Sequence, residues 1–185
     1  MNLSVTAIGR DRPGIVAGIT AALLEMDGNV DDSQMSILHG QFAVMLIVSV
    51  PDIASVEELS LRLEEVGQEF DLAAITVSPV ESLERGPGAT HVLTVYGADH
   101  PGIVNGVSEI IAAAGFNITD LRTRRTGSEE SPVYTLMMEI AAPTVEGTDT
   151  GSNGHEIDAL ADTLARFGLD KRVEVNLAEL DRESL

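Results

Sequence analysis

The chain has 185 residues, no cysteine, no tryptophan, and a formal charge of −19 from 11 Lys plus Arg against 30 Asp plus Glu. Recognition of a phosphate backbone needs a basic surface, so this balance excludes direct DNA or RNA binding and disfavours anionic membrane surfaces. Without cysteine there is no disulfide framework, thiolate nucleophile or Cys-based metal site, and with aromatics at 3% the core must be built from Ile, Val, Leu, Ala and Met.

Leu3 to Ile8 is rich in β-branched residues and predicts a short strand ending at Gly9. The loop Arg10-Asp11-Arg12-Pro13-Gly14 leads into a helix whose apolar face is Ile15, Ile19, Ala22, Leu23 and Met26. That helix is expected to end near Asp27-Gly28, with the glycine as its left-handed cap. Asn29 to Leu38 reads as a second strand, His39-Gly40 as a tight hairpin turn, and Phe42 to Val50 as a third strand stopped by Pro51. A second helix carries Val56, Leu59, Leu63, Val66 and Phe70, and Ser55 with Glu58 forms a capping box at its start. Ala73 to Ser78 closes the module as a fourth strand.

The same order then recurs. Shifted by 88 positions, residues 3–32 match residues 91–120 at ten of thirty places, where unrelated segments would match at about two. The identical pairs are Thr6/Thr94, Gly9/Gly97, Asp11/Asp99, Pro13/Pro101, Gly14/Gly102, Ile15/Ile103, Val16/Val104, Gly18/Gly106, Asn29/Asn117 and Asp32/Asp120. Three of them (Thr6, Ile15 and Val16) are apolar or hydroxyl core types; the others read as turn, cap and site residues. The second copy runs through Val92–Tyr96, Ile103–Ala114, Asn117–Thr126, Val133–Ala142, a helix with Ile157, Leu160, Leu164 and Phe167, and a strand from Arg172 to Leu177. Two insertions distinguish it: a longer hairpin loop around Thr126–Pro132, and a polar, Gly-rich loop from Thr144 to Gly154. The expected organisation is a module at 1–80, a linker at 81–90, a second module at 91–178 and a tail at 179–185. Modules this small bury modest cores, so packing of the two copies together, or an oligomer such as a homodimer, is expected.

The order β-α-β-β-α-β, with right-handed crossovers, predicts an α+β fold: two ferredoxin-like modules, each an antiparallel sheet with both helices on one face. In the third strand Phe42, Val44, Leu46, Val48 and Val50 can meet the helices. Ala43, Met45 and Ile47 on the other side are too apolar for a fully wetted face, and a cover from the second copy or another chain is expected.

The repeated Asp-x-Pro-Gly loop carries the chemistry. Proline costs nothing at a helix entrance, glycine lets a ligand or backbone approach the first turn, and the helix start offers unpaired N–H groups and the positive end of its dipole. That suits a carboxylate or other small anion. Asp11 and Asp99 can cap the helix or accept from an ammonium group. Asn29 and Asn117, which donate and accept, open the second strand, taken to neighbour the loop in the same module or an adjoining one. The loop alone is equally a common turn; its repetition with the asparagine raises the ligand reading level with the structural one. Arg122, Arg124 and Arg125 on one strand read as a solvated face or a small anionic site.

No enzyme signature emerges. His39, His91, His100 and His155 lack metal-ligand spacing; His100 alone lies in a candidate loop, where it can make a pH-sensitive contact. Ser33 and Ser108 have no base nearby, and Asp31-Asp32 are expected on opposite strand faces. Met1 to Val5 is already strand-like and without a basic region followed by an apolar one, and no apolar run reaches the roughly 18–20 residues of a membrane helix. A soluble cytoplasmic protein, with no cofactor or metal, is the expectation.

The strand, the Gly-x-Asp-x-Pro-Gly-Ile-Val loop, the apolar helix and the following Asn resemble the ACT domain, over about residues 1–80 and 90–178. Two such modules with nothing else resemble the glycine cleavage system transcriptional repressor family. The resemblance implies a non-catalytic, amino-acid-binding regulator acting through a protein partner (a transcription factor) on transcription, or alternatively a regulatory subunit giving a metabolic enzyme feedback control. It implies ligand sites at interfaces between ACT units, with glycine or serine the first ligands to test. By that resemblance the ligand residues are Asp11, Pro13, Gly14, Ile15 and Asn29 in the first copy. In the second they are Asp99, His100, Pro101, Gly102, Ile103 and Asn117. Arg10/Ala98 and Arg12/His100 differ, so the two sites need not bind alike.

Overall fold

Strict alternation along the first strand sets up the fold. In β1 (Asn2–Arg10), Leu3, Val5 and Ala7 are buried while Ser4 and Thr6 turn to the opposite face, the period of two that a half-buried strand demands. The structure, a computed structural model, describes residues 1–51, 56–83, 86, 88–128, 131–143 and 153–180. They fall into two units, Met1–Glu84 and Arg85–Leu185.

In the first unit α1 (Ile15–Glu25) buries Ile15, Ile19, Ala22 and Leu23, as its apolar spacing requires. β2 (Asn29–Leu38) and β3 (Gln41–Ser49) are joined by a turn in which both His39 (φ 51°) and Gly40 (φ 78°) are left-handed, the type I′ geometry that matches strand twist. α2 (Val56–Glu69) contributes Leu59 and Leu63 to the core, and β4 (Leu72–Pro79) returns beside β1. The sheet order is β2-β3-β1-β4, antiparallel throughout, with Val5 between Leu46 and Val77.

The second unit repeats this path through β5 (His91–Ala98), α3 (Ile103–Ala113), β6 (Asn117–Ser128), β7 (Ser131–Ala141), α4 (Asn153–Lys171) and β8 (Val173–Glu179). Its order is β6-β7-β5-β8, around a core that includes Leu93, Val95, Ile103, Val107, Leu136, Met138 and Leu160. Both units are ferredoxin-like βαββαβ modules.

Two of the glycine pairs shared by the copies serve packing. A Cβ on Gly9 would stand 2.9 Å from the Leu72 Cα, and one on Gly97 would stand 3.1 Å from the Val173 Cα, so the end of each first strand runs tight against the start of the last. A Cβ on Gly18 would meet the ring of Phe70 at 2.8 Å, and one on Gly106 would run into the ring of Phe167. Glycine there lets the second helix of each unit seat its aromatic ring on the first.

Several local expectations are corrected. The left-handed residue closing α1 is Asp27 (φ 53°), while Gly28 is not left-handed; Asp27 occupies the place of Gly115 (φ 79°) in the second unit, and Asp tolerates this conformation better than most residues. The insertion around Thr126 lengthens the strands, since the β6–β7 ladder continues past Thr126↔Val133 to Ser128↔Ser131. α4 begins at Asn153, inside the segment expected to be loop. Ser55, most of the expected linker's centre, residues 144–152 and the last five residues lie outside the described residues. The outer face of β3 stays open within its unit: Met45 is 52% exposed.

His91 sits partly buried on β5, 2.9 Å from the Thr90 hydroxyl and edge-on to the Phe116 ring. Burial lowers its pKa below 6.5, with Glu179 partly opposing. The folded chain therefore refuses a proton that the unfolded chain accepts, so this group's contribution is intact above pH 6.5 and is lost as pH falls below it. The second unit is predicted to lose stability on acidification from pH 7 through 6, and His91→Gln to flatten that slope in denaturant titrations; an unchanged slope would contradict the assignment.

Candidate functional site

Each helix-start loop is held open by its glycine. Gly14 (φ 100°) and Gly102 (φ 90°) occupy the N-cap positions of α1 and α3 in left-handed conformations, and no side chain caps either helix. Their carbonyls take the first helical bonds, from Gly18 N–H at 2.8 Å and Gly106 N–H at 2.9 Å. Among the described residues the remaining first-turn N–H groups keep no side-chain acceptor, so each helix start retains unpaired donors at the positive end of its dipole. Asp11 and Asp99, expected as possible caps, are not caps.

The two aspartates differ instead. Asp11 uses its backbone N–H to hold the Gly40 carbonyl at 2.9 Å, tying the loop to the hairpin turn, and its carboxylate has no partner among the described residues. Asp99 carries the Arg125 guanidinium at 3.3 Å. Arg12 pairs with Asp71 at 2.9 Å, which fastens the first loop to the turn before β4. Such an exposed pair adds at most about 1 kcal/mol, so its effect is on loop position. Ile15 and Ile103 are each 2% exposed; their side chains belong to the core, and only backbone N–H groups remain for a ligand. Pro13, Gly14, His100, Pro101 and Gly102 are exposed at the loop surface.

The asparagines lie elsewhere. Asn29 stands opposite Ser49, which stands opposite Asn2, whereas the loop follows Arg10, opposite Gln41. Loop and asparagine are thus separated by the nine-residue β1, about 25 Å at the usual strand rise. Asn117 is placed alike, opposite Ala141 at the far end of its sheet from Gly102. The expectation that loop and asparagine neighbour each other within one module is corrected, because α1 carries the chain back along the sheet before β2 begins.

The asparagines also differ from each other. The Asn29 amide donates to Asp31 at 2.8 Å, and the Ser49 hydroxyl donates to the same oxygen at 3.1 Å. Asn117 has no such partner among the described residues; Thr119 stands where Asp31 does and donates to the Glu139 carbonyl at 3.1 Å. Asp31 is the extra residue of a β-bulge between Val30 and Asp32, so both aspartates share the outer face. Strict alternation, from which opposite faces were expected, fails at a bulge. Among the described residues no three His, Asp or Glu side chains converge as a metal site. Nor is any described helix long and apolar enough to cross a membrane.

A groove between α3 and α4, bounded by Gly102 and floored by Ile110, Leu160 and Phe167, encloses 810 Å³, against 230 Å³ between α1 and α2. In the first unit Arg62 of α2 reaches across to Glu25 of α1 at 3.8 Å and pairs with Glu65 of its own helix at 3.2 Å. Alanines 113 and 159 leave the second groove open.

The ACT-domain family model matches residues 2–77 and a second ACT-domain model residues 91–163. The glycine cleavage system transcriptional repressor of Escherichia coli is 29% identical over 168 residues, covering 90% of this chain and 87% of that protein. A UPF0237 protein of Methanopyrus kandleri is 39% identical over 72 residues, 38% of this chain and 80% of its own length. The crystal structure of an unknown protein from Galdieria sulphuraria shares the fold, with a TM-score of 0.76 at 24% identity over 97% of this chain and 98% of that one.

A Cβ on Gly102 would meet nothing within 4 Å, whereas one on Gly14 would stand 3.1 Å from the Phe70 ring. Gly102→Ala is therefore predicted to cost about 1–3 kcal/mol from backbone strain alone, and Gly14→Ala more, in denaturant unfolding. Wild-type stability for both would contradict the left-handed loop geometry.

Proposed function

Because the chain belongs to the ACT-domain family, with one domain in each half, we propose that it is a non-catalytic regulator that binds a small amino acid and acts through a protein partner on transcription. The uncapped, glycine-opened helix start carries this reading: it offers N–H donors and dipole to a carboxylate, and in the first unit an unpaired Asp11 carboxylate for the ammonium group. The similarity to the E. coli glycine cleavage repressor supports transcription as the process and makes glycine and serine the first ligands to test. The charge of −19 favours a protein partner over DNA.

No single unit holds loop and asparagine together, so the ligand sits where the loop of one ACT unit meets the strand-start asparagine of another. Of the four half-sites, the first-unit loop (Asp11, Pro13, Gly14 and the Ile15 N–H) and Asn117 have no side-chain partner among the described residues. Asp99 is already held by Arg125 and Asn29 by Asp31. The loop of Asp99, His100, Pro101, Gly102 and Ile103, with Asn29, forms the weaker set. Regulation follows if the ligand binds two assembly or conformational states unequally.

Isothermal titration with glycine, serine and the other amino acids tests this. Saturable binding is expected, weakened at least about tenfold, or 1.4 kcal/mol, by Asn117→Ala and little changed by Asn29→Ala. No binding to any amino acid, or the reverse ranking, would overturn it.

A further inference from the structure

The groove between α3 and α4 is far wider than its counterpart in the first unit, and aligned positions show why. Leu72 stands opposite Gly9 as Val173 stands opposite Gly97. Counted back from that shared register, Lys171 takes the place of Phe70, and Thr163 that of Arg62. The 88-residue repeat likewise puts Ala113 in the place of Glu25. In the first unit the Phe70 ring covers one end of the groove, 3.1 Å from a Cβ built on Gly14, and the Arg62–Glu25 pair bridges the other. In the second, a Cβ on Gly102 meets nothing within 4 Å, and the Thr163 hydroxyl turns back to the Ala159 carbonyl at 2.9 Å. Three replacements thus act on one groove, and each of them opens it.

We propose that this groove binds a small monocarboxylate with an apolar chain, its carboxylate paired with Lys171. The 810 Å³ it encloses falls within the roughly 300–1,000 Å³ of small-molecule sites, which combine a mainly apolar wall with a few polar groups. Ile110, Leu160 and Phe167 supply the wall. The helices run antiparallel, with Gly106 against the Phe167 ring, so Gly102 and Lys171, one turn further along their helices, share one end. Lys171 is the only cation among the described residues that line the groove. Its ion pair is with Asp170, 3.6 Å away and 75% exposed; such a pair is weak and leaves the ammonium able to turn to a ligand. From Gly102 to Ala113 the groove runs about 16 Å at the helical rise. Glu109 lies along it, accepting from the Asn105 amide at 3.0 Å, and Glu156 lines the far end. A second carboxylate on the ligand would be driven toward these two glutamates, and an α-ammonium group would stand beside Lys171. Like charge disfavours both, so the site selects a single carboxylate and rejects an amino acid. It lies within one ACT unit and does not rest on the amino-acid reading.

Calorimetric titration of the full chain with octanoate and decanoate tests this. Saturation at one site per chain is expected, with Kd raised at least about tenfold by Lys171→Gln. Ala113→Glu combined with Thr163→Arg, which rebuilds the bridge of the first unit, should abolish binding. Octanedioate should bind at least about tenfold more weakly than octanoate. No saturation with either monocarboxylate, an affinity that survives both sets of substitutions, or octanedioate binding as tightly as octanoate would each overturn the proposal. Glycine titration of the same variants reads the amino-acid proposal separately, and its outcome is expected to be the same in all of them.

Discussion

The antiparallel course of strand, helix and strand at the start of each unit constrains everything else. β1 runs out along the sheet, the Asp-x-Pro-Gly loop turns at its end, and α1 returns before β2 begins. The residues that repeat most faithfully are thereby sorted to opposite ends of one small sheet, some 25 Å apart. In the reading proposed above, the loop end of a unit offers N–H donors to a carboxylate and the opposite end an asparagine amide, so that reading asks for more than one ACT unit at each site.

Repetition does not make the two units equivalent. Each conserves the left-handed glycine and the open helix start, which backbone geometry enforces. The side chains around that geometry have diverged: Arg125 occupies Asp99, Asp31 occupies Asn29, and Arg12 pairs with Asp71 where the second loop has His100. These exposed ion pairs and the Asn29–Asp31 hydrogen bond contribute little stability, but they set which side chains each unit leaves unengaged among the described residues. The edge strands diverged in the same way, toward a carboxylate pair on β2 and guanidinium groups on β6.

The fold was legible in the sequence because its signals are periodic or chemically narrow. Alternation in β3, helical spacing in α1 and α2, and the hairpin turn at Gly40 each answer to one local rule, and the 88-residue repeat doubles the signal of the first loop and helix, although the left-handed conformations of Gly14 and Gly102 were not among the expectations. What stayed hidden depends on register and contact. The bulge at Asp31 places two aspartates on one face, which alternation forbids. Gly9 and Gly18 resemble turn or site residues until Leu72 and Phe70 are seen against them. The insertion near Thr126 reads as loop, although strand pairing absorbs it. The separation of Gly14 from Asn29 follows only when the ladders are counted, since fifteen residues of sequence conceal a full sheet length.

The most direct test of a site shared between units is an amide-resolved NMR titration of the full chain with glycine and serine. The account predicts that shifts concentrate at the Gly14–Val16 amides and at the Asn117 backbone and side-chain amide, moving together along one binding curve. Shifts confined to one end of a single unit, or centred on Asn29 and the Asp99 loop while Gly14 and Asn117 stay still, would contradict it.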